Sequence, residues 1–157
     1  MDEVCRHHEW SQGPILAKRV FALMRGIADT GFIVAFKNRN DQHHRWAVDL
    51  ARDLNEPLLT CESVLSEAAF HLGSSEAVLS LVAAGMLEVA FDCAQNVEQL
   101  RDLVARYTDR RPDLADLCLI RMSELYPRHR VITTDDDFCV YRRNKREVIP
   151  LICPPKK

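Results

Sequence analysis

The sequence has no Cys-x-x-Cys pair, no glycine-rich loop, no long uninterrupted apolar run and almost no net charge. Each absence excludes a class of protein. The six cysteines (Cys5, Cys61, Cys93, Cys118, Cys139 and Cys153) are scattered, which argues against a structural zinc cluster and favours a reducing cytoplasm over a disulfide framework. Cys118 sits in an apolar helical pattern and Cys61 beside a helix start, where small buried thiols are common. None of the five glycines forms a phosphate-cradling loop, so a nucleoside-triphosphate enzyme is not expected. The longest apolar region, "AVLSLVAAGMLEVAF", is broken by Ser80, Gly85 and Glu88 and is too short to span a bilayer. The beginning, "MDEVCRHHEW", is acidic and has no apolar signal core, so a cytosolic protein with no membrane partner is expected. With a net charge of −2 there is no global basic field, and a nucleic-acid partner would need a local patch.

What is present fits one globular domain. At 157 residues, 47% hydrophobic and 28% charged, the chain can bury roughly 70% of its unfolded surface. No repeat, low-complexity tract or interdomain linker interrupts it. Residues 1–23 show no strand pattern and read as a dispensable extension or an upstream-start artefact. The functional domain is expected over 24–153, with 154–157 as a flexible tail.

"MRGIADTGFIVAF" reads as a first strand, Arg25 to Asp29, with Thr30-Gly31 as the turn leaving it. "DQHHRWAVDLARDL" has helical spacing with Asp41 as N-cap. Leu58-Leu59 is a short strand. Helices follow over "ESVLSEAAFHL", ended by Gly73, and over "SSEAVLSLVAAG", capped by Ser74 or Ser75. "MLEVAF" is a strand, "NVEQLRDLVARY" a helix, and "RPDLADLCLIRMSEL" a helix with Pro112 near its start. "RVITT" is a strand, "DDDFCVYR" a turn with a short helix, and "EVIPLI" the last strand. Strands alternating with helices predict an α/β fold with a mainly parallel sheet.

Ligands of such sheets bind beyond the carboxyl ends of the strands, where Asp29 and Asp135 fall. Glu67 lies among Val64, Leu65, Ala68 and Ala69, and Asp116 between Leu114 and Leu117, so each carries a desolvation cost unless partnered. Asp113 shares a helix face with Asp116. Each acid also has an ordinary reading. Asp29 would be a strand-end turn residue, Glu67 an exposed helix acid, Asp113 an N-cap, Asp135 or Asp137 the cap of a short helix, and Asp136 a solvated charge. If the acids converge without basic partners, a hard divalent cation resolves their repulsion, and Mg²⁺ or Mn²⁺ suits an all-oxygen set.

In order, "IADTGFIVAFKNRNDQHHRWA", "LLTCESVLSEAAFHL", "DLADLCLIRMSEL" and "VITTDDDFCVYR" resemble the PIN domain family, and within it the VapC-like ribonuclease toxins of toxin–antitoxin pairs. The resemblance covers residues 24–152. It implies a three-layer α/β/α fold and an acidic catalytic site on Asp29, Glu67, Asp116 and Asp135. Metal would be held by Asp29, Asp116 and Asp135, with Glu67, Asp137 and Asp113 as auxiliaries, and Thr30 and Thr133 would orient a carboxylate or a water. It implies an Mg²⁺-dependent endoribonuclease, with Mn²⁺ as a substitute, that leaves a 5′-phosphate and a 3′-hydroxyl. It further implies a homodimer inhibited by a cognate antitoxin. Leu117-Cys118 departs from the family, where small residues often follow the acid.

RNA contacts are assigned to Arg142, Arg143, Lys145 and Arg110, each of which also reads as a solvated surface charge. Phe138 reads as core and Tyr141 as a residue able to stack on a base. His43 and His44 point in different directions, and His71 reads as a packed helix residue. Two other readings compete: a non-catalytic RNA- or antitoxin-binding protein of this fold, and an Mg²⁺-binding receiver-like signalling domain. The lone Asp29 after strand 1 disfavours the second.

Overall fold

Two strands whose inner residues are wholly apolar and buried form the centre of the molecule. In the computed structural model, which describes residues 25–156, β1 (Arg25–Ala28) lies parallel to β4 (His129–Ile132) in the register Ala28 to Ile132. Ile27, Ala28, Val131 and Ile132 are fully buried, as expected for strands covered on both faces. β2 (Leu58–Thr60), β3 (Leu87–Val89) and β7 (Leu151–Ile152) complete a five-stranded parallel sheet of order β3-β2-β1-β4-β7.

Parallel neighbours cannot be joined by a tight turn, and every connection within the sheet before β4 runs through α-helices, while that from β4 to β7 runs through a 3₁₀ turn and a hairpin. The α-helices are α1 (Thr30–Lys37), α2 (His44–Arg52), α3 (Glu62–Leu72), α4 (Ser75–Ala83), α5 (Val97–Arg106) and α6 (Leu114–Leu125). The arrangement is the expected three-layer α/β/α fold. β5 (Arg142–Arg143) and β6 (Glu147–Val148) make a small antiparallel hairpin outside the sheet. Gly26 lets the central strands close up, because a Cβ there would lie 2.6 Å from Ile132 Cδ1 and 2.7 Å from Leu58 Cδ2.

Several boundaries differ from those read in the sequence. β1 stops at Ala28, and no turn follows it: the helix α1 begins at Thr30, so "FIVAF" is helical. Asp41 does not cap α2; its carboxylate accepts from the His43 amide at 2.7 Å, and His43 stands at the N-cap position. "EVIPLI" divides around Pro150, which has no N–H for a ladder, into β6 and β7. Ser74 does cap its helix, accepting from Ala77 N at 3.1 Å, and Gly73 ends α3 with φ +64°.

Cys61, Cys93, Cys118 and Cys153 are free thiols, and Cys139 is disulfide-bonded. No helix among the described residues is long and apolar enough to cross a membrane. The expected extension, residues 1–23, lies outside the described residues.

Candidate active site

Asp29 follows β1 directly, in extended backbone, and caps α1. Its amide still donates to Ile132 O at 3.0 Å, which holds it against β4. The carboxylate is buried, and each of its oxygens has a donor. Oδ1 accepts from Thr30 N at 2.6 Å and Oδ2 from Thr133 Oγ1 at 2.6 Å.

The network runs outward from there. Thr133 Oγ1 accepts from Asp135 N at 2.9 Å, and Thr30 Oγ1 donates to Glu67 Oε2 at 2.9 Å. Glu67 Oε1 lies 3.7 Å from His71 Nε2. The sequence reading that Thr30 and Thr133 orient a carboxylate therefore holds for Glu67 and Asp29. His71, read as packed, is about half exposed beside Glu67 instead; the spacing of four between them was the sequence signal.

Asp116 projects from the first turn of α6, and its own amide donates to Asp113 Oδ1 at 2.8 Å. Asp113 is thus the helix cap. Asp135 caps the 3₁₀ turn Asp136–Cys139, accepting from Asp137 N at 2.8 Å. Asp136 is exposed and pairs with Lys156 at 3.9 Å.

Electrostatics link the acids to one another. Burial pushes the Asp29 carboxyl up to about 6; the Thr133 and Thr30 hydrogen bonds oppose this, and the charges of Asp135 and Glu67 add to it. Asp116 is raised to about 7 by burial, then by Asp113, Asp29 and Asp135. Tyr141 is raised by burial and by Asp116, Asp137 and Asp135. Asp29, Asp116 and Asp135 therefore repel one another through space, and Glu67 adds to the negative charge felt by Asp29. Among the described residues no lysine or arginine forms an ion pair with Asp29, Asp116 or Asp135.

An all-oxygen donor set suits a hard divalent cation rather than a soft one, but among the described residues no three His, Cys, Asp or Glu side chains are close enough together to hold one as they stand.

The residues assigned to RNA separate. Arg143 is buried, donates to Ser123 O and Pro127 O at 3.2 Å, and pairs with Glu147. It locks the hairpin to the end of α6 and does not face solvent, a correction to its assignment. Arg142 Nη1 donates to the carbonyls of Cys139, Val140 and Tyr141 at 2.8–2.9 Å. Lys145 and Arg110 are exposed, and the Arg110 charge reaches Tyr141. Tyr141 and Phe138 are buried edge-to-face against each other, and Tyr141 also against Tyr107; the Tyr141 ring has no free face for a base.

The fold and site together define an α/β domain with a carboxylate cluster at the carboxyl edge of a parallel sheet. The PIN domain family model matches residues 27–144, and the chain belongs to the PIN domain family. Among solved structures it is similar to VapC20 of Mycobacterium tuberculosis, described as a sarcin–ricin loop cleaving toxin. That match has a TM-score of 0.63 and 21% sequence identity, and covers 73% of this chain and 92% of the other. Comparison with curated proteins gives no match.

Proposed function

We propose that this protein is a metal-dependent endoribonuclease, the toxin of a toxin–antitoxin pair, acting in the cytoplasm. The observation that carries the reading is the buried Asp29 carboxylate, fixed through both oxygens and feeling the charge of Asp135 and Glu67, with no basic partner among the described residues. Asp29, Asp116 and Asp135 would hold Mg²⁺ or Mn²⁺. When bound, the ion supplies charge neutralisation at the phosphodiester and lowers the pKa of water.

The chain's own groups do the rest. Thr133 fixes the Asp29 carboxylate, and Thr30 fixes Glu67. Asp116 joins the anionic site as it ionises, its carboxyl held up to about 7 by burial and by Asp113, Asp29 and Asp135. Asp137 adds charge at the rim, while Asp113 sets the start of α6 and reaches the site through Asp116. Lys145 and Arg110 supply sequence-independent affinity for the RNA backbone. Family membership supports a homodimer restrained by a cognate antitoxin.

The test is incubation of a labelled RNA panel with Mg²⁺, Mn²⁺ or EDTA. The panel includes tRNAs and a sarcin–ricin loop hairpin, the element that the similar toxin is described as cleaving. Metal-dependent cuts leaving 5′-phosphates support the reading. Binding of RNA or antitoxin by a folded, metal-loaded protein that makes no cut favours the non-catalytic alternative.

A further inference from the structure

Two buried thiols stand between the elements that carry Glu67 and Asp116, and neither takes part in the reaction above. Cys61 occupies the N-cap position of α3, directly after β2, and Cys118 lies in α6 two residues past Asp116. Both are about 1% exposed. The Ser63 hydroxyl bridges them, 3.2 Å from Cys61 Sγ and donating to Cys118 Sγ at 3.5 Å.

N-caps favour Ser, Thr, Asp or Asn, and Cys61 makes no side-chain capping bond to α3.

We propose that Cys61 and Cys118 are a redox-active pair, joined as a disulfide by a peroxide or a low-molecular-weight disulfide, tying the start of α3 to the helix that carries Asp116. With hydrogen peroxide, two S–H bonds and the O–O bond break, one S–S bond forms, and both protons leave in two waters. With a small disulfide, the two electrons and two protons pass to it, and it departs as two thiols. The product needs sulfurs about 2.05 Å apart, so the Ser63 bridge is lost and the α6 turn bearing Asp116 shifts toward α3. A displacement near 1 Å in a reacting site costs on the order of 100-fold in rate. This last consequence rests on the nuclease reading; bond formation does not.

The experiment treats the full chain with hydrogen peroxide or oxidised glutathione, alkylates the remaining thiols in denaturant, and maps peptides without reduction. The expected result is a Cys61–Cys118 linked peptide, removed by dithiothreitol and accompanied by a shifted melting temperature. Recovery of both residues alkylated, or either one bonded to Cys93 or Cys153 instead, overturns the proposal. RNA cleavage by the bonded protein is then measured beside Cys61→Ser treated alike. A loss of at least about 10-fold, restored by dithiothreitol and absent in the variant, supports the switch, and undiminished cleavage by fully bonded protein overturns it. If the reduced protein cuts no RNA, the peptide map still decides the pairing, and only the nuclease reading fails.

Discussion

Thr133 Oγ1 donates a 2.6 Å hydrogen bond to Asp29 Oδ2, joining the residue after β4 to the residue after β1 across 104 positions of sequence. The same hydroxyl oxygen accepts from Asp135 N, so one buried threonine sets two of the three central acids. Thr133→Val removes both interactions and leaves a buried carboxylate oxygen without its donor. We expect a loss of about 1–3 kcal/mol in stability, read by urea unfolding, and a further rise in the Asp29 pKa. Thr133→Ser should restore most of both.

Stability of the metal-free protein should fall as pH rises. Asp29 and Asp116 have folded pKa values of about 6 and about 7 against an ordinary 3.8, so the folded state binds more protons between about pH 4 and pH 7. The stabilisation is therefore fully present below about pH 4 and is lost as pH rises through 6 and 7. Asp29→Asn should flatten this slope, and Mg²⁺ should oppose it at the alkaline end. Melting temperatures measured from pH 5 to pH 8, with and without Mg²⁺, check both.

The basic residues should divide by role. Arg143→Met removes a buried guanidinium that serves two carbonyls and Glu147, and should lower stability by on the order of 2 kcal/mol. Lys145→Ala and Arg110→Ala should leave the melting temperature unchanged, weaken RNA binding, and each reduce the salt dependence of binding by about one counterion. Binding isotherms at several salt concentrations separate the two effects.

Gly26→Val should destabilise by about 1–3 kcal/mol, because Ile132 and Leu58 already fill the space over the strand. Gly31→Ala should disturb the site itself, since its Cβ would fall 2.1 Å from Thr134 Oγ1. Thermal melts test the first substitution and cleavage rates the second.

The alternation of apolar strands with capped helices made the layer order legible, and the acids could be placed because they fall at strand ends and in apolar helix faces. What hid α1 was its composition. Phe32, Ile33, Ala35 and Phe36 are buried or half-buried, so the run "FIVAF" has no polar side to reveal a helical period and its β-branched residues suggest a strand. The absence of any loop was equally unreadable, because Asp29 both ends the ladder and caps the helix. Arg143 was misassigned because a basic run gives no sign of which member turns inward. The hairpin around it depends on left-handed backbone at Asn144 and Lys145, a signal carried by Asn144 alone. The Thr133–Asp29 hydrogen bond needed only polarity near a strand end to be suspected, and the fold supplied the partner.

The most direct measurement is single-turnover cleavage of one RNA from the panel by wild type, Asp29→Asn and Asp116→Asn, in Mg²⁺ and in EDTA. The account predicts cleavage by wild type in Mg²⁺ only, with each variant folded and slower by at least about 100-fold. Equal cleavage by wild type and both variants, or cleavage undiminished in EDTA, would contradict a metal-dependent site built on these two aspartates.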